Sequence, residues 1–356
     1  MDLRLLDERL ESAEAPRFRA RQVWEWAARG ATSYDEMTNL PRELRERLAG
    51  EVPFSSLRHV HKALAPDGTE KALFETHDGR PVEAVLMRYR DGRRSLCVSS
   101  QSGCPLTCTF CATGTMRFGR NLTASEILDQ ALHFRRMEPG SPPRHLRSRA
   151  SMAPAAVPAP VTEPGKARLS HAVFMGMGEP LMNLDNVLAA CERLPDIGIA
   201  HSNIGVSTVG WIPGIERMAE EGPPVRLALS LHAADEALRS ELMPVNDRYS
   251  LRDVLDACLR WHERRRRPVF VEYLMLDGVN DRYDQAVALA GVLEPRRAFK
   301  VNLIPYNPTD SGYRGSGRDA IAAFRGVLEE RGIRTTVRLT RGRDIAAACG
   351  QLAARR

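Results

Sequence analysis

The stretch SLCVSSQSGCPLTCTFCATGTMRFGRNL, residues 95–122, decides the fold. It opens as an apolar strand, Leu96–Gln101, and runs into three cysteines, Cys104, Cys108 and Cys111, spaced C-x3-C-x2-C. Three thiolates on one tight loop can each hold one iron of a four-iron cubane. Such a cluster ordinarily takes four cysteines, so three leave one iron open to an outside ligand. The same loop could instead staple a zinc ion with Cys97 as its fourth ligand.

Outward from this loop the chain alternates strand and helix. Strands are expected at Leu96–Gln101, Ala172–Met177, Ile204–Val209, Val225–Leu231, Val269–Leu276 and Lys300–Pro305, with a last one at Thr335–Leu339. Amphipathic helices are expected at 124–137, 184–194, 213–221, 250–264, 281–294 and 319–331. Six β–α units in succession imply an α/β fold with a parallel sheet and right-handed crossovers. Polar residues and glycines gather at successive strand ends: Gly176-Met-Gly178-Glu179-Pro180, Ser207-Thr208-Val-Gly210, Ser230-Leu231-His232 and Pro305-Tyr-Asn307-Pro. Barrel enzymes build their sites at the C-terminal ends of strands, so a partial (β/α)6 barrel fits better than a doubly wound sheet. The Gly-Met-Gly-Glu run is no dinucleotide fingerprint, because its third glycine position, 181, is Leu. Its glycines are expected to let backbone approach a ligand, and Glu179 to pair with a ligand ammonium.

Before the barrel, residues 53–92 read as an antiparallel β extension. Asp-Gly pairs at 67–68, 78–79 and 91–92 each signal a two-residue type I′ hairpin. Residues 1–52 read as a small helical domain, with Phe18, Val23, Trp24 and Trp26 among Arg17, Arg19, Arg21 and Arg29. It is either a packing cap or a grip for RNA. The barrel core is expected over 93–342, interrupted by a flexible loop at 139–165 that holds seven prolines, with a separate terminal segment at 343–356.

Composition narrows the function. The 356 residues carry a net charge of +6, which permits an anionic partner such as RNA. Only four of the 51 basic residues are Lys, a bias expected of a GC-rich genome, and Arg264–Arg267 reads as a solvated helix end. Seven cysteines, an odd number, speak against a disulfide framework and for metal or catalysis. Cys191 and Cys258 fall in amphipathic helices and are expected in the core. His59 and His61 alternate on a strand, with no metal expected there. The first residues lack an apolar signal region and no 18-residue apolar run exists, so a cytoplasmic protein without a membrane is expected.

The sequence resembles the RlmN/Cfr family of radical S-adenosylmethionine (SAM) RNA methyltransferases. The likeness is carried by Phe18–Leu48, Ser95–Leu122, Met175–Asn183, Val206–Gly210, Leu229–Ala233, Asn302–Pro308 and the terminal Asp344–Leu352, DIAAACGQL. It implies one [4Fe–4S] cluster on Cys104, Cys108 and Cys111, with SAM chelated at the open iron, and two SAM used per turnover. It implies Cys349 as the methylated cysteine, Cys97 as the resolving one and Glu83 as proton acceptor. Gly178, Glu179, Ser207, Ser230, Leu231, His232 and Asn307 match SAM-contacting positions. The implied substrates are 23S rRNA, at carbon-2 of a peptidyl transferase adenine, and an anticodon-loop adenine of tRNA. An electron donor such as flavodoxin or ferredoxin and a monomeric state are further expectations. The alternatives are methylation at carbon-8 of the same rRNA adenine, which gives antibiotic resistance, and a zinc-stapled RNA-binding module without catalysis.

Overall fold

The computed structural model describes residues 1–137 and 168–354. The proline-rich loop expected at 139–165 lies outside the described residues.

The chain begins with three helices, α1 (Leu3–Ser12), α2 (Phe18–Arg29) and α3 (Arg42–Glu51). Gly30, at φ +104°, ends α2 as a left-handed cap that donates to the Ala27 and Trp26 carbonyls. An antiparallel meander follows: β1 (Leu57–Leu64), β2 (Glu70–Thr76), β3 (Pro81–Arg88) and β4 (Arg93–Cys97). The expected hairpins are present, but their turns differ from the type I′ expectation. Only Gly68, Gly79 and Gly92 have positive φ; the aspartates before them do not. Each loop therefore has three residues, closed in the first case by Gly68 N–H to the Ala65 carbonyl and Ala65 N–H to the Thr69 carbonyl. A type I turn with a glycine bulge makes such a loop.

At β4 the sheet changes sense. β5 (Gln101–Ser102) pairs with β6 (Arg120–Asn121) beside it, and α4 (Ala124–Arg136) leads across to β7 (Arg168–Phe174), which lies parallel to β4. A capping box opens α4: the Thr123 hydroxyl accepts from Glu126 N–H at 3.2 Å, and Glu126 Oε2 accepts from Thr123 N–H at 2.9 Å. Then come α5 (Leu184–Ile197), β8 (Ile204–Thr208), α6 (Ile212–Glu221), β9 (Arg226–Ser230), α7 (Glu236–Leu242), α8 (Leu251–Arg265), β10 (Val269–Met275), α9 (Tyr283–Val292), β11 (Phe299–Pro305), α10 (Arg318–Glu330) and β12 (Thr335–Val337). The sheet order is β1-β2-β3-β4-β7-β8-β9-β10-β11-β12, parallel from β4 onward. Six core strands from β4 to β11 make the expected partial barrel, and β12 extends its edge. No helix is long and apolar enough to cross a membrane, among the described residues.

Phe174, Val206, Leu229, Val271 and Phe299 belong to one continuous core between sheet and helices, and Cys191 and Cys258 are fully buried in it as expected. Val23, Trp24 and Ala27 of α2 belong to that same core. Trp24 Nε1 donates to Asp196 of α5 at 2.7 Å. The N-terminal helices thus pack on the barrel's outer layer, while Phe18 stays 54% exposed beside the Arg19 guanidinium. The arginine run after α8 is not simply solvated: Arg264 and Arg265 donate to the carbonyls of Met218, Ala219 and Gly222 that end α6.

Trp24→Ala removes both the buried indole and its bond to Asp196. It should cost about 3–5 kcal/mol, as for other buried aromatic truncations, read as a lowered midpoint in urea unfolding.

Candidate active site

Backbone closeness places the cysteine loop. A Cβ on Gly176 would stand 2.7 Å from the Val98 carbonyl carbon, and one on Gly178, at φ +95°, 2.4 Å from Gln101 Cβ. Gly176 N–H donates to the Val98 carbonyl at 3.1 Å. These glycines were expected to make room for a ligand. Both line the cleft, and they are also required because the turn after β7 presses on residues 98–101, where a side chain does not fit. That contact aims the chain into the Cys104–Cys111 loop.

The three thiols line one cleft of about 950 Å³ at the C-terminal ends of the strands. Gly178, Glu179, Ser207, Ser230 and His232 line it too, so five of the seven expected SAM positions meet the cysteines there. Leu231 does not: its side chain is buried in the core and its N–H donates to the Glu272 carbonyl. Asn307 does not line this cleft either. It lies on a second, adjoining cavity of about 460 Å³, where its Nδ2 donates to the Cys349 carbonyl at 3.3 Å.

Burial pushes the Cys104 thiol up to about 12 and holds Cys108 and Cys111 above the ordinary thiol range, with the neighbouring thiols adding to the effect on Cys108. Thiolate is the form that binds metal, so this loop becomes three thiolates when metal charge offsets their burial. Among the described residues no three Cys, His, Asp or Glu side chains come close enough to hold a single metal ion. Tetrahedral zinc needs such a convergence; a cubane offers its irons at separate corners, one to each thiolate. Cys97, needed as the fourth zinc ligand, lies elsewhere, with Cys349 on the second cavity. The three thiols share one cleft from which Cys97 is absent, and they fit a [4Fe–4S] cluster on Cys104, Cys108 and Cys111.

The cleft's polar wall crosses adjacent strands. Ser207 and Ser230 hydroxyls lie 3.3 Å apart, and Ser230 pairs in register with Glu272 of β10. Glu272 Oε1 accepts from Asn302 Nδ2 at 2.9 Å, while its buried Oε2 has no hydrogen-bond partner among the described residues. The sequence reading missed this residue, although a lone acid in the apolar strand VFVEYLM was a signal. Glu179 was expected to meet a ligand ammonium. Its two oxygens accept from Leu181 N–H and Val209 N–H, both at 3.0 Å, and burial pushes its carboxyl up to about 7. His232, at φ +61°, accepts through Nδ1 from Leu274 N–H and stands edge-on to Phe110; burial brings it down to about 3.

The segment carrying Cys349 is docked on this site. Ala112 N–H donates to the Gly350 carbonyl at 2.8 Å, and the Thr113 hydroxyl to the Leu352 carbonyl at 2.6 Å. Cys349 lines both cavities, the cluster cleft and the chamber it shares with Cys97. Burial, then the Cys349 charge, pushes the Cys97 thiol up to about 12; Arg338 on the same chamber works against this. Glu83 lines neither cavity. It is fully buried, with Oε1 2.8 Å from Lys71 Nζ and Oε2 accepting from Ala354 N–H at 3.0 Å. His59 stacks on His133 at 4.7 Å.

Comparison with known proteins adds to this geometry. The model of the Radical SAM superfamily matches residues 151–290, and that of the ribosomal RNA large subunit methyltransferase N-terminal domain matches residues 1–52. The cysteine loop precedes the first of these matches. The chain is 44% identical to the "Probable dual-specificity RNA methyltransferase RlmN" of Moorella thermoacetica, over 99% of the chain and 97% of that protein. It is 41% identical to the protein of the same description from Thermus thermophilus, over 94% of the chain and 89% of that protein. A crystal structure of a radical SAM methyltransferase from Sphaerobacter thermophilus superposes with a TM-score of 0.86 at 41% identity, covering 100% of this chain and 98% of that one.

Two measurements check the site. Protein purified without oxygen should be brown with about four irons per chain, and Cys108→Ala should lose the iron; one zinc and no iron after reconstitution would overturn the assignment. His232 has its own pH signature. Unfolded, it takes up a proton near its ordinary 6.5, but folded only near 3. Its contribution is full above 6.5 and is lost as pH falls toward 3, at up to about 1.4 kcal/mol per pH unit. His232→Asn, which tolerates positive φ, should therefore lose less stability than the wild type between pH 7 and pH 5 in urea titrations.

Proposed function

The chain belongs to the RlmN family of radical SAM RNA methyltransferases, and on that premise we propose that it methylates carbon-2 of an adenine in 23S rRNA and in tRNA. The rRNA base is one in the peptidyl transferase centre, and the tRNA base lies in the anticodon loop. The observation that carries this reading is the position of Cys349 on the wall common to the cluster cleft and the Cys97 chamber. One thiol there can meet a methyl donor on one side and a base on the other.

The chemistry sets the need. Carbon-2 of adenine is an electron-poor amidine carbon, and simple displacement of a methyl group by it fails. When bound, a [4Fe–4S] cluster with SAM at its open iron supplies one-electron cleavage to a carbon radical. The protein's own residues do the rest. Gly178, Glu179, Ser207, Ser230 and His232 shape the SAM side of the cleft. Cys349 would hold the methyl group that one bound SAM supplies, and a second would supply the radical chemistry that activates it, two per turnover. Cys97, in the same chamber, helps resolve the link between Cys349 and the base. Glu83 is assigned the proton leaving the base; its carboxylate also ties down the segment that carries Cys349. The target base leaves its stack to reach this depth. The helical domain at 1–52, with exposed Arg17, Phe18 and Arg21, is the proposed RNA grip. A flavodoxin or ferredoxin is the proposed electron donor, and a cytoplasmic monomer the working form.

The two cysteine variants should differ in kind. Cys349→Ala should give neither methylated protein nor adduct. Cys97→Ala should accept the methyl group, reach the RNA and stall with RNA covalently attached, seen as a denaturation-resistant gel shift that ribonuclease removes. Normal turnover by either variant would sink the assignment. Mass spectrometry of nucleosides from RNA treated with the wild type should show 2-methyladenosine; 8-methyladenosine would move the reading to carbon-8.

A further inference from the structure

Helix α7, which the sequence reading missed, carries a buried cation directly behind the cysteine loop. Its last carbonyl, of Leu242, accepts from the Thr109 N–H at 3.0 Å and from the Thr109 hydroxyl at 3.3 Å, and Thr109 lies between Cys108 and Cys111. Leu242 and Cys108 pack in one apolar cluster with Val209 and Phe110. Arg239 stands one turn earlier on the same helix face as Leu242. It is 0% exposed. Its Nη2 donates to the Val209 carbonyl at 2.6 Å and its Nη1 to Asn246 Oδ1, while its buried Nε has no hydrogen-bond partner among the described residues. Among the described residues it forms no ion pair with a carboxylate. The nearest compensation is relayed: Asn246 Nδ2 donates to Glu236 Oε2 at 2.7 Å, and Glu236 lies at the surface.

A guanidinium buried among neutral acceptors is costly unless an opposite charge stands near it. Burial brings Arg239 down to about 10, so it still carries its charge at neutral pH. The opposite charges that act on it are Glu236 of its own helix, then Cys108 of the cysteine loop and Cys258; of these only Cys108 lines the cleft. We propose that Arg239 is the fixed counter-charge of the cluster, a positioning residue that raises the cluster's reduction potential by stabilising its more negative, reduced state. The proposal rests on the cluster being held by Cys104, Cys108 and Cys111. In the step concerned, one electron passes from an external donor to the cluster; Arg239 gives up neither electron nor proton. Net charge, hydrogen bonding and burial set such potentials, and α7 supplies a charge one layer behind the ligands, on a rigid element. The same guanidinium holds the Val209 carbonyl, whose residue's N–H fixes Glu179. A structural role is thus the competing account.

The test is a redox titration, followed by electron paramagnetic resonance, of anaerobically reconstituted full-length protein whose iron content has first been measured. Arg239→Met should lower the equilibrium constant for one-electron reduction at least tenfold, a shift of about 59 mV to more negative potential. Arg239→Lys, which keeps the charge and loses the forked bonds, should stay within threefold of the wild type. An unchanged potential in fully loaded Arg239→Met overturns the proposal. So do equal shifts in both variants, which would mark Arg239 as a strut for Val209. If Arg239→Met does not fold, Glu236→Gln carries the test with the opposite sign: removing the relayed carboxylate should raise the potential, and no rise overturns the proposal. Wild-type protein that holds no iron would refute the cluster assignment itself, a failure separate from these.

Discussion

Two hydrogen bonds between the cysteine loop and the segment around Cys349 hold the site together. The Thr113 hydroxyl meets the Leu352 carbonyl, and the Ala112 N–H meets the Gly350 carbonyl. They fasten a loop at the start of the barrel to a strand-free segment beyond its last strand. Further ties secure the same segment: Lys71 and Glu83 from the meander, Asn307 from the end of β11, and Asp67, which accepts from Gly342 N–H at 3.2 Å. Without this docking the barrel strands could still pair, because none of them includes residues 343–354, but the apolar cluster that Ala347 and Leu352 form with Val85, Cys97 and Met177 would open. The barrel would present a cleft lined by three thiols and no fourth thiol beside it. The antiparallel extension therefore has a second use besides widening the sheet: it supplies the buried Lys71–Glu83 pair on which the segment rests.

Much of this was legible in the residues. The strand and helix alternation in 95–339 was legible because each element has its own period, although the first strand runs Arg93–Cys97 where Leu96–Gln101 was expected and the second Arg168–Phe174 where Ala172–Met177 was expected. The cysteine loop was legible because three thiols at tight spacing have few other uses. What stayed hidden depends on neighbours that are distant in sequence. Helix α7 has only seven residues, too short for its period to show. The glycines at 176 and 178 were read for a ligand, and the further demand on them from Val98 and Gln101 was not visible. The hairpin loops were one residue longer than the Asp-Gly pairs alone suggested, since each aspartate keeps negative φ. The sequence could not tell that Leu231 points into the core while its neighbours Ser230 and His232 face the cleft. Alternation along a strand breaks down at its end, and His232 there has a left-handed backbone.

The cleft shows how one fold places unlike groups in a shared low-dielectric space. Glu179 is buried but holds two backbone N–H groups, so its charge has partners. Glu272 has one partner for two oxygens, and Arg239 has neutral acceptors alone. Each such group is costly taken singly. Glu179 and Glu272 line the cleft and Arg239 stands on α7 behind it, where a bound ligand of matching polarity would offset what the protein alone leaves unpaired.

The docking of the cysteine loop on the segment around Leu352 has a consequence in time. Thr113 and Leu352 are 239 residues apart. A ribosome adding 5–20 residues per second takes roughly 10–50 s to travel from one to the other. For that interval the nascent chain carries its metal-binding loop with no lid of its own sequence over it. The cysteine loop is thus made well before the segment that docks on it, and the two can meet only late in folding.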